Sequence, residues 1–299
     1  MKNLFLTAIL ATAFSANATF AQPAKASNSP LKVAFVIYPE VEVLDLSGPL
    51  DVFVKANDIS PGSFTTFTVG LDHKPVQTQS GGLTITPQFS LADAPRPDIV
   101  VIPGASTKRV SQVGTDKRLQ SWLRRNASPN QTIMSVCTGA FIVGHAGLFD
   151  GKKSTTHWLT LSEFQTKFPK TQAYSGVRYI EDGNRLSAAG VSSGIDGALH
   201  LVEQTRGKRV ADGIARAIQY RRETPVYPDL PKERVKLTKT APNPRGNQKL
   251  ALDYDPVCHM KVKSDSTIIA TFKGKFYGFC AVGCRDAFNA HPEQFIKSK

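Results

Sequence analysis

Cysteine is scarce in this sequence, with four residues among 299. Cys137 stands alone in the middle of the chain, whereas Cys258, Cys280 and Cys284 are grouped near the C-terminus. Four cysteines in an exported protein would first suggest two disulfides, but three grouped residues cannot pair completely among themselves. We therefore expect a metal site or a free thiol in the C-terminal group. A disulfide between two of these cysteines, with one left over, is the alternative.

Long apolar runs are absent after residue 21, so the remainder of the sequence predicts no membrane span. Residues 1–21 have a basic residue, a short apolar run over 4–14 and small residues at Ala18 and Ala21. This pattern is typical of a secretory signal peptide, which predicts a periplasmic or secreted mature protein. An uncleaved anchor is the alternative.

Acidic residues are outnumbered, with 24 Asp and Glu against 37 Lys and Arg and a net charge of +13. A basic balance permits binding to nucleic acid or anionic lipid. No motif that reads DNA is present, so we interpret the charge as a solvated basic surface and expect no nucleic-acid partner. The hydrophobic fraction of 41% is sufficient for a sizeable core.

Strands and helices alternate along the first two thirds of the chain. Continuous apolar or alternating segments predict strands, and amphipathic segments predict helices, over 31–38, 48–57, 64–71, 83–87, 97–105, 107–126, 132–136, 138–148, 193–204 and 208–220, with a hairpin over 176–190. This order predicts an α/β fold with a mostly parallel sheet and helices on both faces. Ligands bind beyond the carboxyl ends of such strands, where the loop after Tyr38, the Pro-Gly after Ile102 and Cys137 lie.

The composition changes after residue 222. Residues 223–252 are rich in Pro, Lys and Arg and lack apolar periodicity, which predicts an extended linker. Residues 253–299 regain aromatic side chains and cysteine but are too few to hold a large core. Folds of this size often need a metal or a disulfide. The sequence thus predicts a main domain over 31–222 and a small α+β module after the linker.

Cys137 lies between a predicted strand and a helix that starts at Thr138-Gly139, which is the arrangement of a nucleophile elbow. A helix N-terminus beneath the thiol would lower its pKa and favour the thiolate. Free main-chain N–H groups at the same place can stabilise an oxyanion. A plain core cysteine at the end of a buried strand is the alternative.

Four segments in order resemble the DJ-1/PfpI superfamily, within it the branch of isonitrile hydratase and the amidase-like domains of AraC-type regulators. They are "VAFVIYPEVEVLDLSGPLDVF", "DIVVIPGA", "SVCTGAFIVGHAGLFDGKKSTTHW" and "AAGVSSGIDGALHLVE". The resemblance covers about residues 31–220. It implies a flavodoxin-like, class I glutamine amidotransferase-like sheet, usually in a homodimer, with no cofactor and with Cys137 as the reactive thiol.

The resemblance also implies roles for four further residues. Asp45 of "LDLSGP" matches the acidic residue near the thiol, where it would hydrogen-bond the thiolate or transfer protons; a carboxylate at a helix start is the alternative. The N–H of Thr138 would join that of Gly104 in an oxyanion hole, although Thr138 could simply begin the helix. His157 of "TTHW" matches a His near the site and is either a base or structural.

One departure from the family bears on the reaction. Members with protease or deglycase-like activity tend to have His directly after the cysteine, and here the residue is Thr138. This favours the hydratase-like branch and a small-molecule substrate. For an isonitrile, the resemblance implies attack by the thiolate on the terminal carbon, protonation from the Asp45 region and addition of water to give an N-substituted formamide.

The C-terminal segment "DYDPVCHMKVKSDSTIIATFKGKFYGFCAVGCRDAFNAHPEQFI" resembles the YHS domain, which accompanies metal-handling proteins. Cys258, Cys280 and Cys284 can supply three thiolates, which suit soft ions such as Cu(I) or Zn(II). His259 replaces the Gly usual in this motif and is either a fourth ligand or a tolerated surface change.

Two functions follow. The first is an exported cysteine enzyme, a hydratase or hydrolase resembling isonitrile hydratase, with an appended heavy-metal-binding module. The second is a non-catalytic periplasmic copper or redox sensor in which Cys137 is oxidised reversibly. Transcription regulation, which the AraC-type resemblance suggests, is disfavoured because no helix-turn-helix pattern follows residue 220 and a signal peptide precedes the domain.

Overall fold

The computed structural model describes residues 29–222, 225–226, 233–235, 249–262, 268–280 and 282–296. The predicted signal peptide, 1–21, lies outside these residues, as does most of the predicted linker, 223–252. Both therefore stay predictions. Among the described helices, none has the length and apolar composition needed to cross a membrane.

The strands of the described chain fall into one large sheet and several short pairings. They are β1 Leu31–Ile37, β2 Phe64–Gly70, β3 Val76–Gln77, β4 Thr84–Ile85, β5 Phe89–Ser90, β6 Ile99–Ile102, β7 Thr132–Val136, β8 Lys153–Ser154, β9 Gln172–Ser175, β10 Tyr179–Asp182, β11 Arg185–Ala188, β12 Glu233–Arg234, β13 Ile269–Phe272 and β14 Lys275–Gly278.

The helices of the described chain mostly follow strands. They are α1 Val43–Ile59, α2 Thr107–Gly114, α3 Lys117–Arg125, α4 Gly139–His145, α5 Leu161–Lys167, α6 Ser193–Arg206, α7 Lys208–Ala217, α8 Val282–Ala290 and α9 Pro292–Phe295, with short 3₁₀ turns at Gln79–Gly81 and Trp158–Thr160.

Seven strands form the central sheet in the order β10-β11-β7-β6-β1-β2-β5. Every neighbouring pair is parallel except β10 and β11, which form the predicted antiparallel hairpin. The apolar run of β1 explains its central place, because a strand covered on both faces has no side that must be polar. The prediction of a mostly parallel α/β sheet is confirmed.

Apolar side chains fill a core on each face of this sheet. Val33 and Phe35 of β1 face a core shared with α1, α6 and α7. Ala34 and Val36 face the opposite core, which α2, α3, α4 and α5 cover. Because β1, β6 and β7 are parallel neighbours, their carboxyl ends lie side by side at one edge of the sheet.

Two predicted helices differ from the observed ones. Helix α1 begins at Val43 instead of Gly48, so Pro49 lies inside the helix. A proline there lacks the N–H that would have bonded the carbonyl of Asp45, and its ring crowds that carbonyl. The helix predicted over 107–126 is two helices, because Asp116 begins a new one by accepting a hydrogen bond from the N–H of Arg118 (2.8 Å).

The C-terminal module consists of the hairpin β13–β14 with α8 and α9, around a small core that contains Phe279 and Phe288. It packs against the main domain at the 3₁₀ turn before α5, where Leu159 joins the same core. The hydroxyl of Ser162 on α5 donates to Oδ2 of Asp286 on α8 (2.8 Å). Elements of the main domain and of the C-terminal module therefore meet beside the carboxyl edge of the sheet.

Candidate active site and thiol cluster

Cys137 occupies a sharp turn between β7 and α4, with a backbone φ of +56°. A non-glycine residue held in this region costs on the order of 1 to 3 kcal/mol, so the surroundings must fix it. Its N–H donates to the carbonyl of Ala188 (2.9 Å), and its own carbonyl accepts from Oγ1 of Thr156 (2.8 Å). The predicted strand–turn–helix elbow is therefore present, and Thr156 is a tether that sequence reasoning did not identify.

Two glycines allow the loop after β6 to lie directly against this turn. A Cβ on Gly139 would stand 2.1 Å from the carbonyl oxygen of Ile102. A Cβ on Gly104 would stand 2.5 Å from Oγ1 of Thr138 and 2.7 Å from Oδ2 of Asp45. Close backbone approach thus requires glycine at both positions.

The Thr138 side chain is fully engaged with that loop. Its hydroxyl donates to the carbonyl of Ala105 (2.6 Å) and accepts from the N–H of Ala105 (3.0 Å). Hydrogen bonding from Thr138 lowers the pKa of the Cys137 thiol, so Thr138 also supports charge on the sulfur. The predicted role of the Thr138 N–H in stabilising an oxyanion stays a prediction, and its hydroxyl fixes the loop.

Asp45 is completely buried in the first turn of α1. Its Oδ2 accepts from the N–H of Gly104 (2.9 Å), while its Oδ1 has no hydrogen-bond partner among the described residues. Burial raises the pKa of Asp45 to about 7; the Gly104 hydrogen bond opposes this, the charge of Glu42 adds to it, and interaction with Cys137 lowers it. Both protonation states are therefore populated near neutral pH.

The same hydrogen bond corrects the predicted oxyanion hole. The N–H of Gly104 donates to Asp45 and is not free to face a substrate oxygen. Gly104 instead positions the carboxyl group next to the thiol.

The Cys137 thiol is 8% exposed, and its pKa is raised well above the usual value. Burial is the largest cause, the negative charge of Asp45 adds to it, and the hydrogen bonds from Thr138 only partly offset it. Burial and the charge of Asp45 therefore outweigh the predicted effect of the helix N-terminus, and the pKa of the thiol is raised instead of lowered. The thiol keeps its proton, and Asp45 is the group placed to accept it.

Tyr38 is a further buried group beside the pair that sequence reasoning missed. Its hydroxyl donates to the carbonyl of Pro103 (2.5 Å), which fixes the start of the loop that carries Gly104. Burial, followed by the charges of Asp45 and Cys137, raises the pKa of Tyr38 well above its usual value. The sequence feature that could have identified Tyr38 as a site residue is its position at the end of a buried strand.

His157 is half-buried, follows Thr156 directly and begins the 3₁₀ turn Trp158–Thr160. Its Nδ1 accepts from the N–H of Leu159 (3.4 Å), which leaves the ring proton on Nε2. Burial lowers the pKa of His157, so the ring is neutral at pH 7. Its role as a base stays a prediction, and the geometry favours hydrogen-bond donation from Nε2.

A cavity of about 500 Å³ opens at this edge of the sheet. The lining residues come from both parts of the chain: Glu42, Asp45, Gln79, Ala105, Ser106, Thr107, Cys137, Thr138, His157, Leu159, Thr160, Glu163, Val191, Met260, Ile268 and Cys280. The predicted residues Asp45, Cys137, Thr138 and His157 are thus brought together, and Gly104 lies behind them.

A second cluster lies in the C-terminal module. One ligand atom each from Asp255, Cys258, Cys280 and Cys284 lies within 4.8 Å of the others. Sγ of Cys280 is 3.3 Å from Sγ of Cys258 and 3.8 Å from Sγ of Cys284, and all are free thiols. The alternative of a disulfide is therefore absent from these described residues.

The donor set fits a soft metal ion. Two sulfurs bound to one tetrahedral ion at about 2.3 Å lie about 3.8 Å apart, close to the observed spacing. Without a cation, burial and the neighbouring groups Cys258 and Asp255 raise the pKa of Cys280 to about 12. A bound cation would offset the unfavourable ionisation of these thiols, because thiolates are the form that binds metal.

The prediction of His259 as a fourth ligand is wrong for this geometry. His259 is exposed and lies outside the cluster, with its ring 5.8 Å from that of Tyr254. The residue has a backbone φ of +61°, so it lies in a tight turn directly after Cys258. Asp255, which sequence reasoning left out, joins the three thiols instead.

Comparison with known proteins agrees with this architecture. The model of the DJ-1/PfpI family matches residues 31–204, more than half of the chain. The chain belongs to the DJ-1/PfpI family. The model of the YHS domain matches residues 254–299, so the C-terminal module is a YHS domain.

Characterised relatives of the DJ-1/PfpI part differ in function. The isonitrile hydratase of Pseudomonas putida is 32% identical over 191 residues, which cover 64% of this chain and 78% of that protein. The HTH-type transcriptional regulator GbdR of Pseudomonas aeruginosa is 27% identical over 197 residues. The chain spans 52% of the length of that regulator.

Solved structures confirm the predicted fold. A THiJ/PfpI family protein from Pseudomonas syringae matches with a TM-score of 0.59 and 26% identity, over 70% of this chain and 85% of its own. Schizosaccharomyces pombe DJ-1 matches with a TM-score of 0.54 and 18% identity, over 64% of this chain and 100% of its own. The second likeness is one of fold alone.

Proposed function

We propose that the DJ-1/PfpI domain is a cysteine-dependent hydratase that converts a small isonitrile into an N-substituted formamide. The observation that carries the proposal is the buried pair of Asp45 and Cys137, in which a carboxyl group with a pKa of about 7 faces a protonated thiol. Similarity to an isonitrile hydratase supports the substrate class. The lining of the cavity offers an acid–base group, a nucleophile and an apolar wall.

The first half of the reaction attaches the substrate. Asp45 in its carboxylate form accepts the thiol proton while Sγ of Cys137 forms a bond to the terminal carbon of R–N≡C. Protonated Asp45 then gives that proton to the same carbon. The product is a thioimidate, R–N=CH–S–Cys137, and no net proton has been gained or lost. A group with a pKa near 7 serves both as base and as acid.

The second half releases the product. Water adds across the C=N bond, with its oxygen on carbon and its proton passing through Asp45 to nitrogen, to give R–NH–CH(OH)–S–Cys137. The C–S bond then breaks, the hydroxyl proton returns to sulfur, and R–NH–CHO leaves. The N–H of Thr138 stabilises charge on sulfur in both halves, and Nε2 of His157 is placed to donate to the substrate at the rim of the cavity.

Turnover of cyclohexyl isonitrile to N-cyclohexylformamide tests this proposal. The purified protein is compared with Cys137→Ala and Cys137→Ser, with formamide measured by gas chromatography. We expect turnover by the wild type and a loss of at least about 100-fold in both variants. Equal rates in wild type and Cys137→Ala would contradict the proposal.

The raised pKa of Cys137 is less favourable for the alternative of a redox sensor, which needs the thiolate before any substrate binds. Oxidation to a sulfenic acid proceeds from the thiolate, and here burial and Asp45 keep the thiol protonated. Copper binding by the YHS domain fits either function, so it does not favour the sensor. A rate of reaction of Cys137 with hydrogen peroxide above that of free cysteine would support the sensor instead.

Export is part of the proposal and rests on residues 1–21, which lie outside the described residues. Expression of the full chain with cell fractionation and N-terminal sequencing tests it. We expect a mature protein in the periplasm that begins after Ala18 or Ala21. The predicted homodimer is tested on the same material by light scattering.

A further inference from the structure

Cys280 belongs to two sites at once. Its sulfur is a member of the thiol cluster of the YHS domain, and the residue also lines the cavity that contains Cys137. Met260 and Ile268, which lie between Cys258 and Cys280 in the sequence, line the same cavity. The YHS domain is therefore one wall of the active-site cavity.

A tight interface fixes this arrangement. A Cβ on Gly283 of α8 would lie 2.5 Å from Cα of Leu159, so the helix touches the backbone of the 3₁₀ turn that carries the cavity residues His157 and Leu159. Ser162 bonds Asp286 one turn further along α8. The contact thus holds the start of α8, with Cys284, against the main domain.

Asp255 has a structural task that leaves the ion to the thiols. Its Oδ1 accepts from the N–H groups of Val257 (2.8 Å) and Cys258 (3.3 Å), and its Oδ2 accepts from the N–H of Cys280 (2.8 Å). The carboxylate therefore holds the two cysteine loops together. The three thiols would then hold a soft ion, and an ion with three protein ligands would accept a further ligand.

The members of the cluster differ in burial and in their contact with the cavity. Cys284 and Asp255 are buried beneath the cluster, whereas Cys258 and Cys280 are half-buried and Cys280 faces the cavity. Cys280 is therefore the member of the cluster that borders the cavity.

We propose that the YHS thiol cluster and Cys137 form one composite site, in which an ion held by Cys258, Cys280 and Cys284 takes a small soft-donor ligand inside the Cys137 cavity. The position of the thiol cluster beside the cavity does not depend on the proposed hydratase reaction. The choice of an isonitrile as the ligand rests on the proposed function, and its terminal carbon, with a lone pair, is a soft donor that suits Cu(I).

Cross-linking tests whether the two thiols share the cavity. In a Cys258→Ser/Cys284→Ser background, the metal-free full chain is treated with a short bismaleimide and digested for mass spectrometry. We expect a peptide that joins Cys137 to Cys280. Separate modification of both thiols without the joined peptide would overturn the proposal.

Substitutions on α8 provide the matched control. Gly283→Ala favours the helix itself but places a methyl group against the Leu159 backbone, so we expect the yield of the joined peptide to fall at least fivefold. Asn289→Ala, at an exposed position of the same helix, should leave the yield unchanged. Equal yields in the two variants would overturn the docking geometry.

Infrared spectroscopy tests the ligand position without turnover. The Cys137→Ala protein is loaded with one equivalent of Cu(I) and mixed with cyclohexyl isonitrile. We expect the N≡C stretching band to be displaced from that of the free compound. The displaced band should saturate at one isonitrile per chain. It should be lost in the Cys137→Ala/Cys280→Ser variant. An unshifted band with Cu(I) bound would overturn the proposal. Neither experiment requires hydratase activity, so failure of the proposed function would be seen separately.

Discussion

The main-chain N–H of Gly104 donates to Oδ2 of Asp45 across 2.9 Å, although the two residues are 59 positions apart in the chain. This bond holds one carboxylate oxygen and leaves Oδ1 buried without a partner among the described residues. The arrangement concentrates the chemistry of the site in one carboxyl group beside one thiol.

Removal of the charge at Asp45 should abolish most of the activity. Asp45→Asn keeps an oxygen that can accept from Gly104 but cannot take the thiol proton. We expect kcat/KM for cyclohexyl isonitrile to fall by about 10² to 10⁴-fold. Asp51→Asn, at an exposed position of the same helix, is the control and should retain activity. Comparable losses in both variants would point to damage of the helix instead.

The pH dependence of the reaction should report Asp45. Its pKa is raised to about 7, and the carboxylate is the form that accepts the thiol proton. We therefore expect kcat/KM to rise as pH increases through about 7 and then to level off. A profile that is flat between pH 5.5 and 8.5 would contradict the assignment of Asp45 as the base.

Stability should depend on pH through the same group. The pKa of Asp45 is raised from 3.8 to about 7 on folding, so the folded state binds more protons between these values and loses stability as pH rises through 7. The ionised buried carboxylate costs on the order of 2 to 4 kcal/mol above pH 7. Asp45→Asn should gain stability over the wild type at pH 8, and the gap should narrow towards pH 4. Urea unfolding at both pH values measures the difference in free energy of unfolding between the variant and the wild type. A difference that does not change with pH would contradict the prediction.

A methyl group at Gly104 should damage the site directly. In Gly104→Ala the Cβ would meet Oγ1 of Thr138 and Oδ2 of Asp45 at less than 3 Å. We expect a loss of about 1 to 3 kcal/mol in the free energy of unfolding and a larger relative loss of activity. Gly82→Ala, where the nearest atom is 3.7 Å away, is the control. Wild-type activity in Gly104→Ala would show that the loop can retreat without cost.

Metal content should follow the thiols and not the histidine. Elemental analysis of protein loaded with Cu(I) or Zn(II) should give one ion per chain in the wild type and in His259→Ala. The Cys258→Ser/Cys280→Ser/Cys284→Ser variant should hold none, because it retains only Asp255 of the cluster. Loss of the ion in His259→Ala would restore His259 as a ligand.

The periodicity of apolar residues was enough to predict the sheet and most of its helices. A strand such as residues 31–38, which is covered on both faces, is apolar at nearly every position, so it can be recognised from the sequence. Helix bounds were less certain, because the break at Asp116 and the early start of α1 depend on hydrogen bonds and packing. The family resemblance identified Asp45 and Cys137 as site residues, and the structure places the two side chains close together.

By itself the sequence determined the order of the elements, the family and the residue types available for chemistry. Only the tertiary structure decided that Gly104 binds Asp45, that the Cys137 thiol keeps its proton and that Asp255 stands in the cluster where His259 was expected. It also brought Cys280 to the cavity of Cys137. The reason is physical: a pKa depends on burial and on charges a few ångströms away, and these neighbours come from distant parts of the chain.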